Sequence, residues 1–335
     1  MRAAVYRRFG GPDVVRLEEQ PKPVPQRGEL LVKVQAATVS AADYRARTKN
    51  VPRGLKLLSS VTLGFSTPRI PVLGMDIAGV VESVGPDVTR FKPGDEVIAM
   101  LGGTFGGHAE YVTVPQDGAV TAKPANLTFE EAAALVFGGI TAQAFLGRTS
   151  IGPGMSVLVN GASGAVGTAA VQLAHIAGTH VTAVCSGANA DLVRSLGAET
   201  VIDYTQDDFT QTGVAYDIIV DCVGNVPFRQ LQPLVKRGGA LLAVAADLLG
   251  VLTAGVRSRR TGIHITAGNV PFIAADLTHI AQLAETGHFG PVIDRSFDLS
   301  DIDEAHRRVS TGRKTGNVVV RVAAPSTQEP TIETR

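Results

Sequence analysis

The chain has 335 residues, of which 44% are hydrophobic and 19% are charged, so it is long enough to bury a sizeable core and to form two domains. Basic and acidic residues both number 31, and the formal net charge of zero argues against nucleic acid or an anionic membrane as a partner. Because we find no charged-then-apolar leader and no run of about 18 apolar residues, we expect a cytoplasmic protein that does not interact with membranes.

The first part of the chain, from Arg2 to about Lys123, alternates short apolar runs with turns rich in glycine and proline. The runs include RAAVY, ELLVKVQAA, IAGVVESVG, DEVIAM and AEYVTVP, and turn signals such as KPGD separate them. This alternation of short apolar runs and turns predicts a β-rich, barrel-like domain.

The pattern changes at Thr128, which Glu131 follows at the spacing of a helix capping box. Apolar strands then alternate with helices, and continuous apolar strands between helices indicate a parallel sheet covered on both faces. The sequence therefore predicts a doubly wound α/β domain. Its strands are expected at 156–160, 180–185, 200–203, 218–222, 240–244 and 263–267.

The last part of the chain offers two amphipathic helices and a final strand, NVVVRV. A terminal strand cannot easily join the preceding parallel sheet, so we expect it to return to the first domain. Residues 326–335 are polar and rich in proline and threonine, and they are predicted to form a disordered tail.

The strongest local signal is a glycine-rich loop between a predicted strand and a predicted helix, VLVNGASGAVGTAAVQLA. Gly161 permits a tight turn, Gly164 lets the backbone approach a pyrophosphate, and Gly167 allows the helix to pack closely on the strand. The strand before the loop and the helix after it are the context that this motif requires. The remaining loop residues assigned to the cofactor site are Ser163, Ala165 and Val166.

The choice between the two nicotinamide dinucleotides is usually made at the end of the second strand, where a carboxylate accepts from the ribose 2′-hydroxyl. Here Cys185 and Ser186 occupy that place, so no carboxylate repels a 2′-phosphate, although no Arg or Lys follows before Arg194. Ser186 is expected to donate to the phosphate. Tyr204 either lies near the 2′-phosphate or is an aromatic residue of the surface. NADPH is favoured, and Val223, after the fourth strand, is also assigned to its site.

Several separate motifs, in order, resemble the medium-chain dehydrogenase/reductase superfamily and, within it, the zinc-independent quinone oxidoreductase branch. They are AVYRRFGGPDVVRLEE, GMDIAGVVESVGPDVTRFKPGDEV, NGASGAVG and the closing PVIDRSFDLSDIDEAHRRVSTGRKTGNVVV. The resemblance implies a GroES-like β-rich catalytic domain from residues 1–125 and 270–325. It also implies a doubly wound Rossmann domain, residues 126–269, that binds NADP, with the nicotinamide in the cleft between the two domains.

The resemblance also bears on zinc. Zinc-dependent relatives place a cysteine where this chain has Ser40 and a histidine where it has Met75, and neither residue is a usual zinc ligand. His108 and Asp43 are nearby in sequence, but two scattered groups do not make a tetrahedral site. We therefore expect no bound metal.

Without zinc, reduction of an electron-poor acceptor is favoured over oxidation of an unactivated alcohol, which needs a Lewis acid. The candidate catalytic residues are Ser40, through its hydroxyl, and Tyr44, which is either a proton donor or a pocket-lining aromatic. Asp43 and Arg47, four residues apart, predict a structural ion pair. By family position, the further cofactor-binding residues are Thr141, Asn269 and Asn317.

The leading hypothesis is an NADPH-dependent reductase of a quinone or an α,β-unsaturated carbonyl compound. A pathway-specific enoyl or ketone reductase and a non-catalytic NADPH-binding protein remain as alternatives. The last Rossmann strand, GIHITAGN, is apolar enough that an exposed edge would pair with its copy, which predicts a homodimer.

Overall fold

The computed structural model describes residues 1–268 and 270–323, and it contains two large β-sheets and one two-stranded ribbon. The strands are β1 (Arg2–Tyr6), β2 (Val15–Glu19), β3 (Glu29–Val39), β4 (Asp76–Val84), β5 (Glu96–Met100), β6 (Tyr111–Pro115), β7 (Ala119–Ala122), β8 (Ser156–Asn160), β9 (His180–Cys185), β10 (Thr200–Asp203), β11 (Tyr216–Asp221), β12 (Val235–Ala243), β13 (His264–Ala267), β14 (Ile293–Asp298) and β15 (Asn317–Arg321). The helices are α1 (Ala41–Thr48), α2 (Lys56–Leu63), α3 (Phe129–Leu146), α4 (Ala165–Ile176), α5 (Ala190–Ser195), α6 (Phe228–Leu231), α7 (Leu248–Thr261), α8 (Ala274–Glu285) and α9 (Ile302–Ser310).

The six-stranded sheet is parallel throughout and has the order β10-β9-β8-β11-β12-β13. Counted from β8, this is the order 3-2-1-4-5-6 of dinucleotide-binding folds. All six predicted strands are present. The strand order reverses between β8 and β11, and such a point is where open α/β sheets bind ligands, beyond the carboxyl ends of the strands. The predicted doubly wound fold is confirmed.

The seven-stranded sheet combines strands β3 to β7 with β14 and β15, which come from opposite sides of the parallel sheet in the sequence. Its order is β14-β15-β3-β4-β5-β7, with β6 paired to β3. The last strand, β15, runs antiparallel to β3, with Val318 opposite Val39. The predicted return of the terminal strand to the first domain is therefore confirmed, and this return brings residues near 316 to the parallel sheet.

Helix α3 lies in the core of the protein. Thr128 and Glu131 form the predicted capping box at its start. Contrary to the sequence analysis, its 18 residues are long and apolar enough to span a membrane, but 72% of them are buried. They pack against apolar residues of β3, β4 and β5, including Ala36, Ala78 and Ile98. Because most of α3 is buried in this way, it is a core helix that lies between the two sheets.

The exact domain boundaries stay predictions. The structure assigns β14 and β15 to the N-terminal sheet, whereas α8 packs on α3 and β7 through Leu277 and Ala281. Asn269 and the predicted disordered tail, residues 326–335, lie outside the described residues.

Candidate active site

The glycine-rich loop joins β8 to α4 at the carboxyl edge of the parallel sheet. Gly161 has a φ of 79°, in the left-handed region that glycine adopts readily. A Cβ on Gly167 would lie 2.1 Å from the Gly161 carbonyl oxygen, so no side chain fits there. Gly164 precedes the first turn of α4, and no side chain caps the helix. The helix N-terminus therefore faces the loop, as an anionic pyrophosphate requires.

The returning C-terminal segment contacts this loop directly. The Gly316 N–H donates to the Ser163 carbonyl at 2.8 Å, and the Thr315 hydroxyl donates to Asn189 Oδ1 at 3.2 Å. Asn317, predicted to bind the cofactor, is buried, and its backbone and side-chain N–H groups both donate to the Val292 carbonyl. Asn317 is thus next to the loop, but its side chain bonds to the protein.

A groove of about 280 Å³ lies at the carboxyl ends of β10 and β11, and residues 204–209 and 225–226 line it. Tyr204 belongs to this lining and is 61% exposed. The hydroxyl of Ser186 accepts from the Asn189 side chain at 3.2 Å in the adjoining loop after β9. The structure therefore brings the two residues predicted for the adenosine end to the same edge of the sheet.

One residue of this edge, Asp221, was missed in the sequence, and it supports Val223, which was predicted. Asp221, at the end of β11, accepts at one oxygen from Asn160 Nδ2 and from the N–H groups of Val223 and Gly224, at 2.9–3.1 Å. This carboxylate shapes the turn that holds Val223. Val223 is 46% exposed and lies over the glycine loop, since a Cβ on Gly161 would be 2.6 Å from its Cγ2.

Thr141 carries a buried hydroxyl whose oxygen has no hydrogen-bond partner in the described part of the chain. It lies on α3, one turn beyond Gly138, where a Cβ would be 2.3 Å from the Ala165 carbonyl oxygen at the start of α4. Burying a hydroxyl without a partner costs free energy, about 1–3 kcal/mol. An unsatisfied hydroxyl beside the dinucleotide loop fits a contact with a bound nicotinamide dinucleotide.

Ser40 is the N-cap of α1, and its hydroxyl is already bonded. It donates to Asp43 Oδ2 at 2.6 Å and accepts from the N–H groups of Ala42 and Asp43 at 3.2 Å. The other oxygen of Asp43 accepts from the Gly74 N–H at 2.8 Å. The arrangement gives Ser40 a structural role, joining the start of α1 to the segment before β4.

The predicted ion pair between Asp43 and Arg47 is wrong. Arg47 is fully buried and donates instead to the Gly10 carbonyl at 2.5 Å and to the Ser310 hydroxyl at 2.8 Å. Asp43 is used by the helix cap, so the two side chains on α1 have separate partners. Local spacing alone did not reveal them.

Tyr44, the other candidate catalytic residue, is half-buried on α1. Its phenol oxygen accepts from Asn50 Nδ2 at 3.3 Å, and its own proton has no acceptor among residues 1–268 and 270–323. Tyr44 is thus able to donate a proton where Ser40 is not.

Comparison with known proteins agrees with this geometry. The alcohol dehydrogenase GroES-like domain family matches residues 26–125, and the zinc-binding dehydrogenase family matches residues 196–320. A chloroplastic quinone oxidoreductase of Triphysaria versicolor is 31% identical, over 96% of this chain and 98% of the relative. The chain belongs to the medium-chain dehydrogenase/reductase superfamily. It is an oxidoreductase of the quinone oxidoreductase-like branch.

Two further relatives of this superfamily cover nearly the whole chain. An NADPH-dependent alkenal/one oxidoreductase of Arabidopsis thaliana is 33% identical, over 96% of this chain and 79% of the relative. The solved structure of a quinone oxidoreductase from Coxiella burnetii has a TM-score of 0.84 at 28% identity and covers 96% of this chain and 99% of its own. The predicted GroES-like and Rossmann folds are thereby confirmed.

The residues at the superfamily's zinc positions do not suit zinc. Ser40 bonds through its hydroxyl to Asp43, and Met75 offers only a thioether, which is not a usual zinc ligand. Across residues 1–268 and 270–323, no group of three or more His, Cys, Asp or Glu side chains has an arrangement that could hold a metal ion. Ser40 and Met75 lie within the match to the GroES-like domain family, and the match to the zinc-binding dehydrogenase family covers only residues 196–320.

Behind the zinc positions lies a buried polar layer that the sequence only partly revealed. Asp76 accepts from the Thr38 N–H and hydroxyl at 2.8 and 2.7 Å, and burial raises the pKa of its carboxyl to about 7. His108 is fully buried, and its Nε2 lies 2.9 Å from the Thr38 carbonyl oxygen. Its ring meets the ring of His306 edge-on at 5.6 Å. Burial lowers the pKa of His306 well below its usual value, so this histidine is neutral.

Proposed function

We propose that this protein transfers hydride from NADPH to a quinone or an α,β-unsaturated carbonyl compound, without zinc. The observation that carries the proposal is the convergence of the open glycine loop and the unsatisfied Thr141 hydroxyl at the carboxyl edge of a Rossmann sheet. Relatives named for quinone and for alkenal/one reduction support the choice of acceptor.

Distinct elements would hold distinct parts of the cofactor. The first turn of α4 and Gly161 to Gly167 would receive the pyrophosphate, and Thr141 would bond to the nicotinamide half. Ser186, Tyr204 and the adjacent groove would take up the adenosine, and Val223 would cover the loop. When bound, NADPH supplies the hydride; the protein orients it against the acceptor.

The hydroxyl groups available as proton donors suit reduction of a substrate without a Lewis acid. An alcohol must lose a proton as it loses hydride, and zinc-dependent enzymes stabilise the alkoxide with the metal. A quinone or enone accepts hydride directly, and its developing oxyanion needs only a hydrogen bond or a proton. Tyr44 is the proposed donor, because its proton is uncommitted in the described structure, whereas the Ser40 proton is bonded to Asp43.

The test is a comparison of acceptors at a fixed NADPH concentration. Quinones, enones and simple aldehydes are supplied in parallel, and oxidation of NADPH is followed by absorbance, with and without a chelator. The proposal expects oxidation with quinones or enones, little with aldehydes, and no effect of the chelator. Turnover of aldehydes alone, or its loss on chelation, would contradict it.

We also propose a cytoplasmic homodimer joined through β13. Within residues 1–268 and 270–323 this strand pairs with β12 alone and forms one edge of the parallel sheet, and an exposed edge strand is a template for pairing with a second copy. Mass measurement in solution tests this directly: a dimer is expected, and a monomer at micromolar concentration would overturn it.

A further inference from the structure

Two segments of the chain carry basic residues without any acidic residue. Residues 44–75 contain six Lys or Arg and no Asp or Glu, and residues 248–275 contain three Arg and no Asp or Glu. The first segment includes α2 and the second includes α7. The expectation that the protein avoids membranes depended on the zero net charge of the whole chain, which does not describe these two segments.

Helix α2 exposes apolar side chains on one face. Leu57 is 72% exposed, and Leu58 and Val61 are each exposed by half or more. Leu57 and Leu58 precede Val61 by four and three positions, so the three side chains share one face of the helix. Phe65, just after the helix, is also more than half exposed. Apolar side chains grouped in this way on a protein surface mark an interaction site.

Helix α7 exposes a second apolar stripe. Leu252 is 70% exposed, and Leu249 and Val256 are each exposed by half or more, at spacings of three and four residues that place them on one face. Arg259 and Arg260 are exposed in the last turn, and within residues 1–268 and 270–323 no acidic group pairs with them. The arginines alone would suit a solvated helix end, but solvation does not account for the apolar stripe.

The two helices meet at their N-terminal ends. The N–H of Leu248, the first residue of α7, donates to the Arg53 carbonyl at 3.0 Å, three residues before α2 begins. A Cβ on Gly54 would lie 2.8 Å from the Cβ of Leu248. Residues 53–65 and 248–260 therefore form one region, the α2–α7 surface, to which both domains contribute.

Cations also hold the C-terminal end of α2 in place. The Lys49 ammonium donates to the carbonyls of Gly64 and Phe65 at 2.9 and 2.7 Å, and Arg69 donates to the Val61 carbonyl at 2.5 Å. These bonds are to neutral carbonyl groups, so they fix the helix without cancelling its positive charge. The α2–α7 surface is thus a cationic surface with apolar side chains in defined positions.

We infer that the α2–α7 surface docks this protein on a membrane that contains anionic lipid. Exposed apolar side chains of a basic helix enter the boundary between headgroups and acyl chains, while Lys and Arg attract the anionic headgroups. The same surface on a second copy of the chain is a poorer partner, because it would bring cations against cations. Cytoplasmic leaflets carry such lipid, so docking is compatible with a cytoplasmic protein. Docking itself does not depend on hydride transfer.

The test is co-sedimentation of the full chain with lipid vesicles, without NADPH or acceptor. One set of vesicles is phosphatidylcholine alone, and the other is a mixture of phosphatidylcholine and phosphatidylserine. We expect binding to the mixture, weaker binding at high salt, and little binding to phosphatidylcholine alone. Absence of binding to the mixture at low salt would overturn the inference and leave the proposed hydride transfer untouched.

Surface variants separate the two contributions. Arg259→Gln combined with Arg260→Gln, and separately Leu252→Ser, should each lower the affinity for the mixed vesicles by about tenfold. The matched controls lie outside the α2–α7 surface: Arg16→Gln combined with Lys33→Gln removes the same charge, and Val24→Ser removes an exposed apolar side chain. The controls should change affinity by less than about threefold. Equal losses in variants and controls would overturn the inference, because they indicate general electrostatic attraction.

Two measurements complete the test. Thermal unfolding should show that the variants fold like the wild type, because every altered side chain is exposed. Mass in solution distinguishes a lipid partner from a second copy of the chain. Leu252→Ser should leave the oligomeric state unchanged. Conversion of a dimeric wild type to a monomer by this substitution would assign the α2–α7 surface to an interface between copies and overturn docking.

Discussion

The N–H of Gly316 donates to the carbonyl of Ser163 at 2.8 Å, so the last strand of the chain is tied to the dinucleotide loop. The two residues are 153 positions apart by their numbers, and they flank β8 and β15, which belong to different sheets. Through this bond, both domains contribute to the proposed cofactor site. Changes at either partner of this contact are expected to affect binding at the loop.

The glycine loop gives the first prediction. Gly167→Ala places a Cβ 2.1 Å from the Gly161 carbonyl oxygen, so the start of α4 must move away from the loop. We expect NADPH affinity to fall by about tenfold or more, measured by fluorescence titration. Gly255→Ala on α7 is the control. Its Cβ meets nothing within 4 Å, and it should leave affinity unchanged while adding roughly 0.5–1 kcal/mol to the free energy of unfolding. Equal NADPH affinities in the two variants would contradict the proposal that the pyrophosphate binds at this loop.

The Thr141 hydroxyl gives a prediction in which stability and binding change in opposite directions. Thr141→Val replaces a buried oxygen without a partner by a methyl group of similar size, so the free energy of unfolding should stay the same or rise by about 1 kcal/mol. NADPH affinity should fall, because the hydroxyl is expected to bond to the cofactor. Thr141→Ser should keep most of the affinity. Urea unfolding and cofactor titration measure the two effects, and a destabilised Thr141→Val with normal affinity would contradict the assignment.

The two candidate catalytic residues should differ in what their loss affects. Ser40→Ala removes the N-cap of α1 and is expected to cost about 1 kcal/mol of stability. Tyr44→Phe should leave stability nearly unchanged and lower kcat, by about 100-fold if the phenol is the only proton donor. Thermal unfolding and steady-state kinetics with an enone distinguish them. An unchanged kcat in Tyr44→Phe would assign the proton to water.

Asp76 should make stability depend on pH in a defined direction. Burial raises the pKa of its carboxyl to about 7 in the folded state, so between about pH 4 and 7 the folded protein holds a proton that the unfolded chain has lost. The contribution of this group is therefore greatest below pH 4 and is lost as the pH rises to 7. The slope is at most about 1.4 kcal/mol per pH unit.

Asp76→Asn tests this account because it keeps an oxygen for the Thr38 N–H and cannot ionise. The difference in free energy of unfolding between the variant and the wild type should move in favour of the variant as the pH rises from 4 to 7. Urea denaturation at several pH values measures it. A difference that does not change with pH would show that the carboxyl titrates normally.

Local chemistry determined what could be predicted from the sequence. The glycine loop and the Thr128–Glu131 capping box depend on residues within one or two turns of each other, and both are as predicted. The return of β15 to the first sheet followed from the absence of a place for it in a parallel sheet. These features depend on the spacing and order of residues along the sequence, which can be read without a structure.

The contacts that decide the roles of polar residues were not predictable in the same way. Ser40 and Asp43 have the spacing of a capping box, but the bond from Gly74 to Asp43 needs the folded sheet. Arg47 bonds to Ser310, 263 positions away. The Thr315–Asn189 contact spans 126 positions. Such hydrogen-bond partners are brought together by tertiary packing, and the periodicity of the local sequence does not predict them.

The most direct test of the central claim is a single-turnover experiment on metal-depleted protein. Enzyme dialysed against a chelator is loaded with NADPH and mixed rapidly with a quinone or an enone, while the absorbance of the reduced nicotinamide is followed. The account predicts full oxidation of the bound cofactor at the same rate as in untreated protein. No oxidation despite bound NADPH, or oxidation restored only by added zinc, would contradict it.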